Sequence, residues 1–511
     1  MVRSRSVGKI AALLLSAAVL LTGSACSGDL PDGTAPAIRE NQPEAVGGIL
    51  STAGKLLSLN VLSNTPRELP DLNNRFWTKV QELFQVKLHA EFVPLDDYET
   101  RLRQVLSSGE LPEVMVVNTL DDGVFNQAAK QGMFWDLHEL AGGLDDFPNL
   151  KTNIPEEAWR YSSVEGKRYV IPRVRPMLDG ALHWRPDLFA AQCLPEPRTL
   201  DEYIAGLRQI VEAYPQKHYV GLHFEESFFG AFGGFEPVYD RKSGGLLYKY
   251  FTEAYTDFVA WYRKVYAMGL MSEEFAVLKG SDKEYMFRSD KALTFQKNMY
   301  HSYTYDQDLK RINPDFQAGV ITYLNGPNGH TGEFGVGYTG GFVISRKVPA
   351  EKALRILRMY NDAVVPEVTD QLLHGFQGIH YRMVNGERVP TELARKEISN
   401  AVMQVFPNAL DPWQKVTHTA APKEWNERMK GIARTLYQAK HAVDPFRVIR
   451  SEAWLKEWPK LQDEYIAMRT GAIMGVVTME EYRSYVAKLR EKPELQQAFR
   501  EFAESYKSLF Q

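Results

Sequence analysis

The chain has 511 residues, 60 Lys+Arg against 64 Asp+Glu, and a formal charge of −4. With 44% hydrophobic and 24% charged residues it has globular composition, which excludes a disordered, collagen-like or disulfide-rich protein. A near-neutral balance gives no basic surface for nucleic acid, and the length suits more than one domain.

The chain opens with Arg3, Arg5 and Lys9, then an apolar run from Ile10 to Leu21. Twelve helical residues span about 18 Å, short of the roughly 30 Å hydrocarbon core, so the run reads as a secretion signal and not as a membrane span. It ends in Thr22-Gly23-Ser24-Ala25-Cys26, which resembles a bacterial lipobox with Gly23 where Leu is usual. The resemblance implies cleavage after residue 25, lipidation of Cys26 and attachment to a membrane surface; the alternative is an ordinary cleavage site at Gly23-Ser24-Ala25. Lipid on Cys26 leaves Cys193 without a disulfide partner. Residues 26–55 are rich in Gly and Pro, without an aromatic ring, and predict a flexible tether reaching roughly 30 Å. No later run of 18 apolar residues occurs.

The body begins at residue 56. Leu57, Leu59 and Val61 alternate as in a strand that turns at Ser63-Asn64-Thr65-Pro66. Asp71 is placed to cap a helix with Phe76, Val80, Leu83 and Phe84 on one face. Val86 to Phe92 predicts a second strand stopped by Pro94. Tyr98, Leu102, Val105 and Leu106 predict a second helix ended by Gly109, and Val114 to Val117 a buried third strand. This alternation predicts βαβ units and a mostly parallel sheet. Ligands of such sheets sit beyond the carboxyl ends of the strands, so Asn64, Thr65, Arg67 and Asn118 are cleft candidates.

Several later stretches carry a family resemblance. Ser108-Gly109-Glu110-Leu111-Pro112-Glu113-Val114, Glu165-Gly166-Lys167-Arg168-Tyr169-Val170-Ile171-Pro172, Trp184-Arg185-Pro186-Asp187-Leu188-Phe189 and Pro197-Arg198-Thr199-Leu200-Asp201-Glu202-Tyr203 are four of them. Further pieces are Gly230-Ala231-Phe232-Gly233, Tyr266 to Met271, and His374-Gly375-Phe376-Gln377-Gly378-Ile379-His380-Tyr381. In order and spacing they resemble extracellular solute-binding protein family 1, in the lipoprotein subgroup of oligosaccharide ABC importers.

The resemblance implies an α/β, two-lobed type II periplasmic-binding-protein fold. Each lobe is expected as a mostly parallel sheet flanked by helices, with added C-terminal helices. By analogy the chain first crosses between lobes at residues 173–177 and returns at 314–318. Lobe one then takes 56–173 and 318–365, and lobe two 174–317 and 366–511. Leu455, Trp458, Leu461 and Tyr465 are expected on one helical face of the tail.

The function implied is capture of a carbohydrate, an oligosaccharide, by lobe closure and delivery to ABC permease subunits. The site is then the extracellular face of a membrane, in a Gram-positive cell, with a monomeric protein and no cofactor. Sugars are neutral, with flat C–H faces and hydroxyl rims, so aromatic platforms and polar side chains suit them. Arg173 and Arg175 flank the first crossing and fit hydroxyls or carboxylates; an inter-lobe salt bridge is the alternative. Phe232 lies in a Gly-rich run as an exposed ring or a core one. Gln296 follows a strand-like run, and Tyr338 offers a platform. Trp135 and Trp159 read as core.

Gly335-Val336-Gly337-Tyr338-Thr339-Gly340 spells G-x-G-x-x-G, but a strand-like run follows where a dinucleotide site needs a helix. The histidines show no metal-ligand spacing. The adjacent pairs Asp96-Asp97, Asp121-Asp122 and Glu225-Glu226 point apart on regular elements and suit capping or solvation. Two rival classes stay open: a surface-anchored carbohydrate-active enzyme, needing two carboxylates across the cleft, and a peptide-binding or sensor module.

Overall fold

The computed structural model describes residues 56–65, 69–118, 120, 123–178, 180–332, 334–384, 386–439 and 443–511. Cys26, the leader, the tether and Arg67 lie outside the described residues, as does the pair Asp121-Asp122. Among those described, no helix is long and apolar enough to cross a membrane.

Twelve strands occur among the described residues. They are β1 (Leu57–Thr65), β2 (Val86–Pro94), β3 (Val114–Val117), β4 (Ile171–Val174), β5 (Ala181–Trp184) and β6 (Thr294–Lys297). β7 (Gly319–Ile321), β8 (Asn325–Gly326), β9 (Gly329–His330), β10 (Tyr338–Ile344), β11 (Tyr381–Val384) and β12 (Glu387–Pro390) follow. Helices Arg75–Phe84 and Leu95–Ser108 separate the first three strands as the hydrophobic periodicity requires. The first is capped by Asn74, whose side chain accepts from the Trp77 amide at 2.9 Å, and not by Asp71, which turns the chain at Asn73 instead. Gly109 ends the second in the left-handed conformation.

Lobe one holds a five-stranded sheet in the order β2-β1-β3-β10-β4. β1 runs parallel to β2 and β3, while β10 is inserted antiparallel between β3 and β4. Lobe two departs from the expected parallel sheet. Its named strands form an antiparallel sheet, β6-β5-β7, because β5 pairs with β6 and β7 in opposite sense. Each lobe has its own apolar core, one around Leu59, Trp77, Val116 and Phe342, the other around Phe229, Phe258, Tyr262 and Phe499.

The return crossing also moves. β7 hydrogen-bonds β5, so residues 319–321 remain in lobe two and the chain does not return at 314–318. It returns beside its outgoing path. The Arg175 amide donates to the Gly337 carbonyl at 2.9 Å, the Gly335 amide donates to the Met177 carbonyl at 2.6 Å, and Leu178 bridges Phe334. Residues 366–406, expected in lobe two, pack in lobe one's core through Val368, Leu372, Val402 and Phe406. A third crossing follows. Asn408 donates to the Val174 carbonyl at 3.2 Å, and the Lys415 carbonyl accepts from the Tyr300 amide at 2.8 Å.

The tail is helical, in the segments Glu452–Glu457, Gln462–Met474, Met479–Arg490 and Pro493–Phe510. A 3-10 turn at Trp458–Lys460 breaks the single face expected through Leu455. Trp454 enters the core instead and stacks on Trp458 with ring centroids 4.5 Å apart. The last turn reaches lobe one, where the Phe510 ring lies 5.7 Å from Tyr161.

Two buried histidines tie this core to pH. Neither ring nitrogen of His223 has a hydrogen-bond partner. Burial, and then the charge of Lys283, hold its pKa down to about 4. Burial likewise takes His183 to about 3. The unfolded chain protonates these rings near pH 6.5 and the folded one does not, so the unfolded state gains protons first as pH falls. Stability is therefore full above pH 6.5 and drains between about 6.5 and 4, by about 3 kcal/mol for His223. Urea unfolding across that range should show this loss, and His223→Leu should make it shallower. An equally steep loss in the variant would assign the effect to other groups.

Candidate functional site

The carboxyl ends of β1, β3 and β4 bring together part of the expected set. Asn64 is buried and its amide nitrogen donates to Asn118 Oδ1 at 2.9 Å. Asn118 in turn donates to Glu99 Oε1 at 3.2 Å and accepts from Arg173 Nη2 at 3.3 Å. Arg173 Nε donates to the Thr339 carbonyl at 3.0 Å, and Nη1 to Gln404 Oε1. Thr65 is buried at the end of the same strand.

Arg173 is 3% exposed, and all its partners are neutral and belong to lobe one. The inter-lobe salt bridge offered as the alternative is therefore not what holds it. Burial, and next the charge of Arg175, pull its pKa down to about 9. Arg175, half-buried, donates from Nη1 to the Val174 carbonyl at 3.0 Å.

Other candidates fall elsewhere. Phe232 is buried in lobe two's core, edge-on to Phe258 and Trp261 at 5.8 and 6.1 Å, and is no exposed platform. Its run forms a 3-10 helix, Glu226–Phe232, whose small residues admit Phe235 and the β8–β9 hairpin. Tyr338 is the first residue of β10; its hydroxyl donates to the Tyr161 carbonyl at 3.0 Å, and its ring packs against both cores. Gln296, in β6, accepts from the Ser227 hydroxyl and lines a cavity of about 30 Å³ with Gly180 and Thr331, room for about one water.

The sequence reading missed two regions. One is aromatic and basic, on and after the third crossing. The Trp413 ring has Lys430 Nζ 5.6 Å and Arg434 Cζ 5.4 Å from its centroid, and Tyr300 and Tyr303 flank His418 at 4.6 and 5.3 Å. Two tryptophans, Trp413 and Trp425, within a charged stretch were the available signal.

The other is a groove of about 1070 Å³ between helix Gly123–Lys130 and residues 163–166 of lobe one, and helices Glu452–Glu457 and Pro493–Phe510. Lys130 spans it, bonding Glu165 at 2.9 Å and Glu452 at 2.6 Å. Exposed pairs of this kind contribute about 1 kcal/mol or less. Lys130→Ala should thus leave the melting point nearly unchanged, yet remove a tie between lobes. Small-angle scattering should give a larger radius of gyration for the variant at low salt, and the same radius for both proteins at high salt, where the bridge is screened. Equal radii at low salt would mean that the bridge does not hold the lobes.

The acidic pair Glu225-Glu226 is half-buried and divided between two clusters. Glu225 faces Lys283 at 3.5 Å; Glu226 faces Lys249 at 2.9 Å and Arg469 at 3.2 Å. These carboxylates serve ion pairs, in place of the capping or solvation expected. Among the described residues, no group of three or more His, Cys, Asp or Glu is placed to hold a metal ion.

Two lobes with separate cores, joined by three crossings, with polar side chains gathered at strand ends where the chain passes between them, define a two-lobed solute-binding protein fold. No family model matches the chain. It is 25% identical over 317 residues to the polygalacturonan/rhamnogalacturonan-binding protein YtcQ of Bacillus subtilis (strain 168), covering 59% of this chain and 62% of that one. It is also 25% identical over 342 residues to lipoprotein LipO of the same organism, covering 61% and 65%. The chain thus spans less than two thirds of these relatives' length. Among solved structures, the alginate-binding protein AlgQ2 superposes with TM-score 0.63 at 18% identity, over 89% of this chain and 98% of that one. A solute-binding protein from Bifidobacterium longum infantis ATCC 15697 gives 0.65 at 14%, over 90% and 100%. These likenesses agree with the resemblance to extracellular solute-binding protein family 1.

Proposed function

We propose that the chain captures an oligosaccharide between its lobes and presents it to an ABC permease, held at the outer membrane face by lipid on Cys26. The observation that carries this is the Asn64–Asn118–Arg173 cluster at the strand ends, beside the crossings. Amides and a guanidinium donate and accept in fixed directions, as hydroxyl-rich ligands require. A ligand touching both lobes favours the closed arrangement, since only there does it make both sets of contacts. The relatives' names support the reading: one binds galacturonans, one is a lipoprotein, and the structural neighbours include alginate- and N-glycan-binding proteins. The protein acts as a binder, alone, and no bond is broken.

The test is titration calorimetry of the full chain against acidic and neutral oligosaccharides and short peptides, with chromatography of the sugars afterwards. Saturable sugar binding with the sugar recovered intact is expected. Cleaved products would make the protein an enzyme, and a response to peptides alone would make it a peptide-capture module.

A further inference from the structure

We infer that the ligand is an acidic oligosaccharide, a uronic-acid-containing chain, and that one of its carboxylates is the counter-charge of Arg173. This rests on the oligosaccharide reading above and goes further, because charge class is a separate property.

The molecule supplies its own control. Among the described residues two arginines are buried, Arg173 and Arg185. Arg185 is met by two carboxylates, Asp187 at 2.6 Å and Asp290. Three partly covered cations are met likewise: Lys249 by Glu226 and Asp444, Arg469 by Glu226, Lys283 by Glu225. Arg173 breaks the pattern, with no carboxylate within 4.0 Å among the described residues. A buried charge without an opposite charge is costly, and the chain meets that cost at Arg185 with two carboxylates.

The site also has unused donors. A guanidinium has five N–H groups, and three of Arg173's are bonded, one each to Thr339, Gln404 and Asn118. Two remain for a carboxylate, whose paired oxygens match them better than a neutral hydroxyl does. The nearest acid along the network, Glu99, is held off by Asn118, which accepts from Arg173 on one side and donates to Glu99 on the other. Arg175 lies two residues on, so in extended chain it adds a second positive charge on the same side. The strand ends therefore present positive potential at the place where the fold positions a ligand.

Short oligogalacturonates and their methyl esters make the decisive pair of probes, since esterification removes the charge and keeps the ring stereochemistry. Calorimetry of the full chain should show the acid bound about 10–100-fold more tightly than the ester, the range for a hydrogen bond to a charged group. Raising salt should weaken the acid and leave the ester unchanged. Arg173→Gln should erase the preference, and Arg173→Lys should restore part of it. If Arg173→Gln does not fold, the salt dependence in the unaltered protein decides. Equal affinity for acid and ester, or binding of neutral oligosaccharides only, would overturn the acidic assignment and leave the oligosaccharide reading intact. Absence of binding to any carbohydrate would overturn both.

Discussion

Arg185→Met should lower unfolding stability by about 3–5 kcal/mol, the cost of removing one partner from a buried ion pair. Arg185 follows β5 and precedes the short helix Pro186–Ala191. Its guanidinium bonds both oxygens of Asp187, at 2.9 and 2.6 Å, and also Asp290. Asp290 is 3% exposed and accepts from Lys217 at 2.8 Å and Tyr219 at 2.9 Å as well. Without Arg185, two largely buried carboxylates lose their main cation. The Phe316 ring, 4.4 Å from the guanidinium, loses its neighbour too. Urea unfolding measures the loss, and adding Asp290→Asn to the variant should recover part of it, because one stranded charge is then gone. A loss below about 1 kcal/mol would mean that Lys217 and Tyr219 suffice for Asp290.

Gly340→Ala should be as damaging, by about 3 kcal/mol or more, and should weaken ligand binding as well. Gly340 has φ +62°, and an added Cβ would stand 1.9 Å from the Val117 carbonyl and 2.8 Å from Asn118 Cα. It sits where β10 slips register against β4, between Tyr338 and Gly341. Any relief of the clash pushes β10 away from β3, moving Asn118 together with the Thr339 carbonyl that holds Arg173. Gly337→Ala is the control. Its φ is +78°, but the new Cβ would meet only Met177, at 3.8 Å, so the cost is backbone strain alone, about 1 kcal/mol. Unfolding curves and ligand titration of the two variants should differ in both measurements. Equal behaviour would show that β10 has room to move.

That pair of glycines also shows what was legible in the sequence. The string from Gly335 to Gly340 invited a nucleotide-loop reading and was set aside because a strand follows, which is what β10 is. Its actual purpose, letting β10 approach β3, depends on an antiparallel neighbour more than two hundred residues earlier and has no local signature. Local pattern did place β1 to β3 and their helices, since β1, β2 and the helices alternate buried and exposed positions and β3 is a wholly apolar buried run. The return crossing was misplaced because β7 is only three residues long and β10 belongs to a sheet begun much earlier. Within the candidate site, Asn64 and Asn118 followed from the rule that ligands gather at strand ends, and Arg173 from the first crossing placed by analogy. Phe232 did not: a Gly-rich run looks like an exposed loop, yet here glycine makes room for neighbouring rings, as Gly234 does for Phe229.

The insertion of β10 between β3 and β4 also fixes an order of assembly. A chain emerging from its N-terminus makes β1, β2 and β3 early, but the edge of β3 stays open until residue 344 exists. Lobe one's core then waits further, for Val402 to Phe406, and lobe two's waits for the helix that ends at Phe510. Neither lobe completes its core before most of the polypeptide has been made. Such long-range closure slows folding. Under the proposed function, which places the protein outside the membrane, this delay is a gain, because premature folding would block passage of the extended chain.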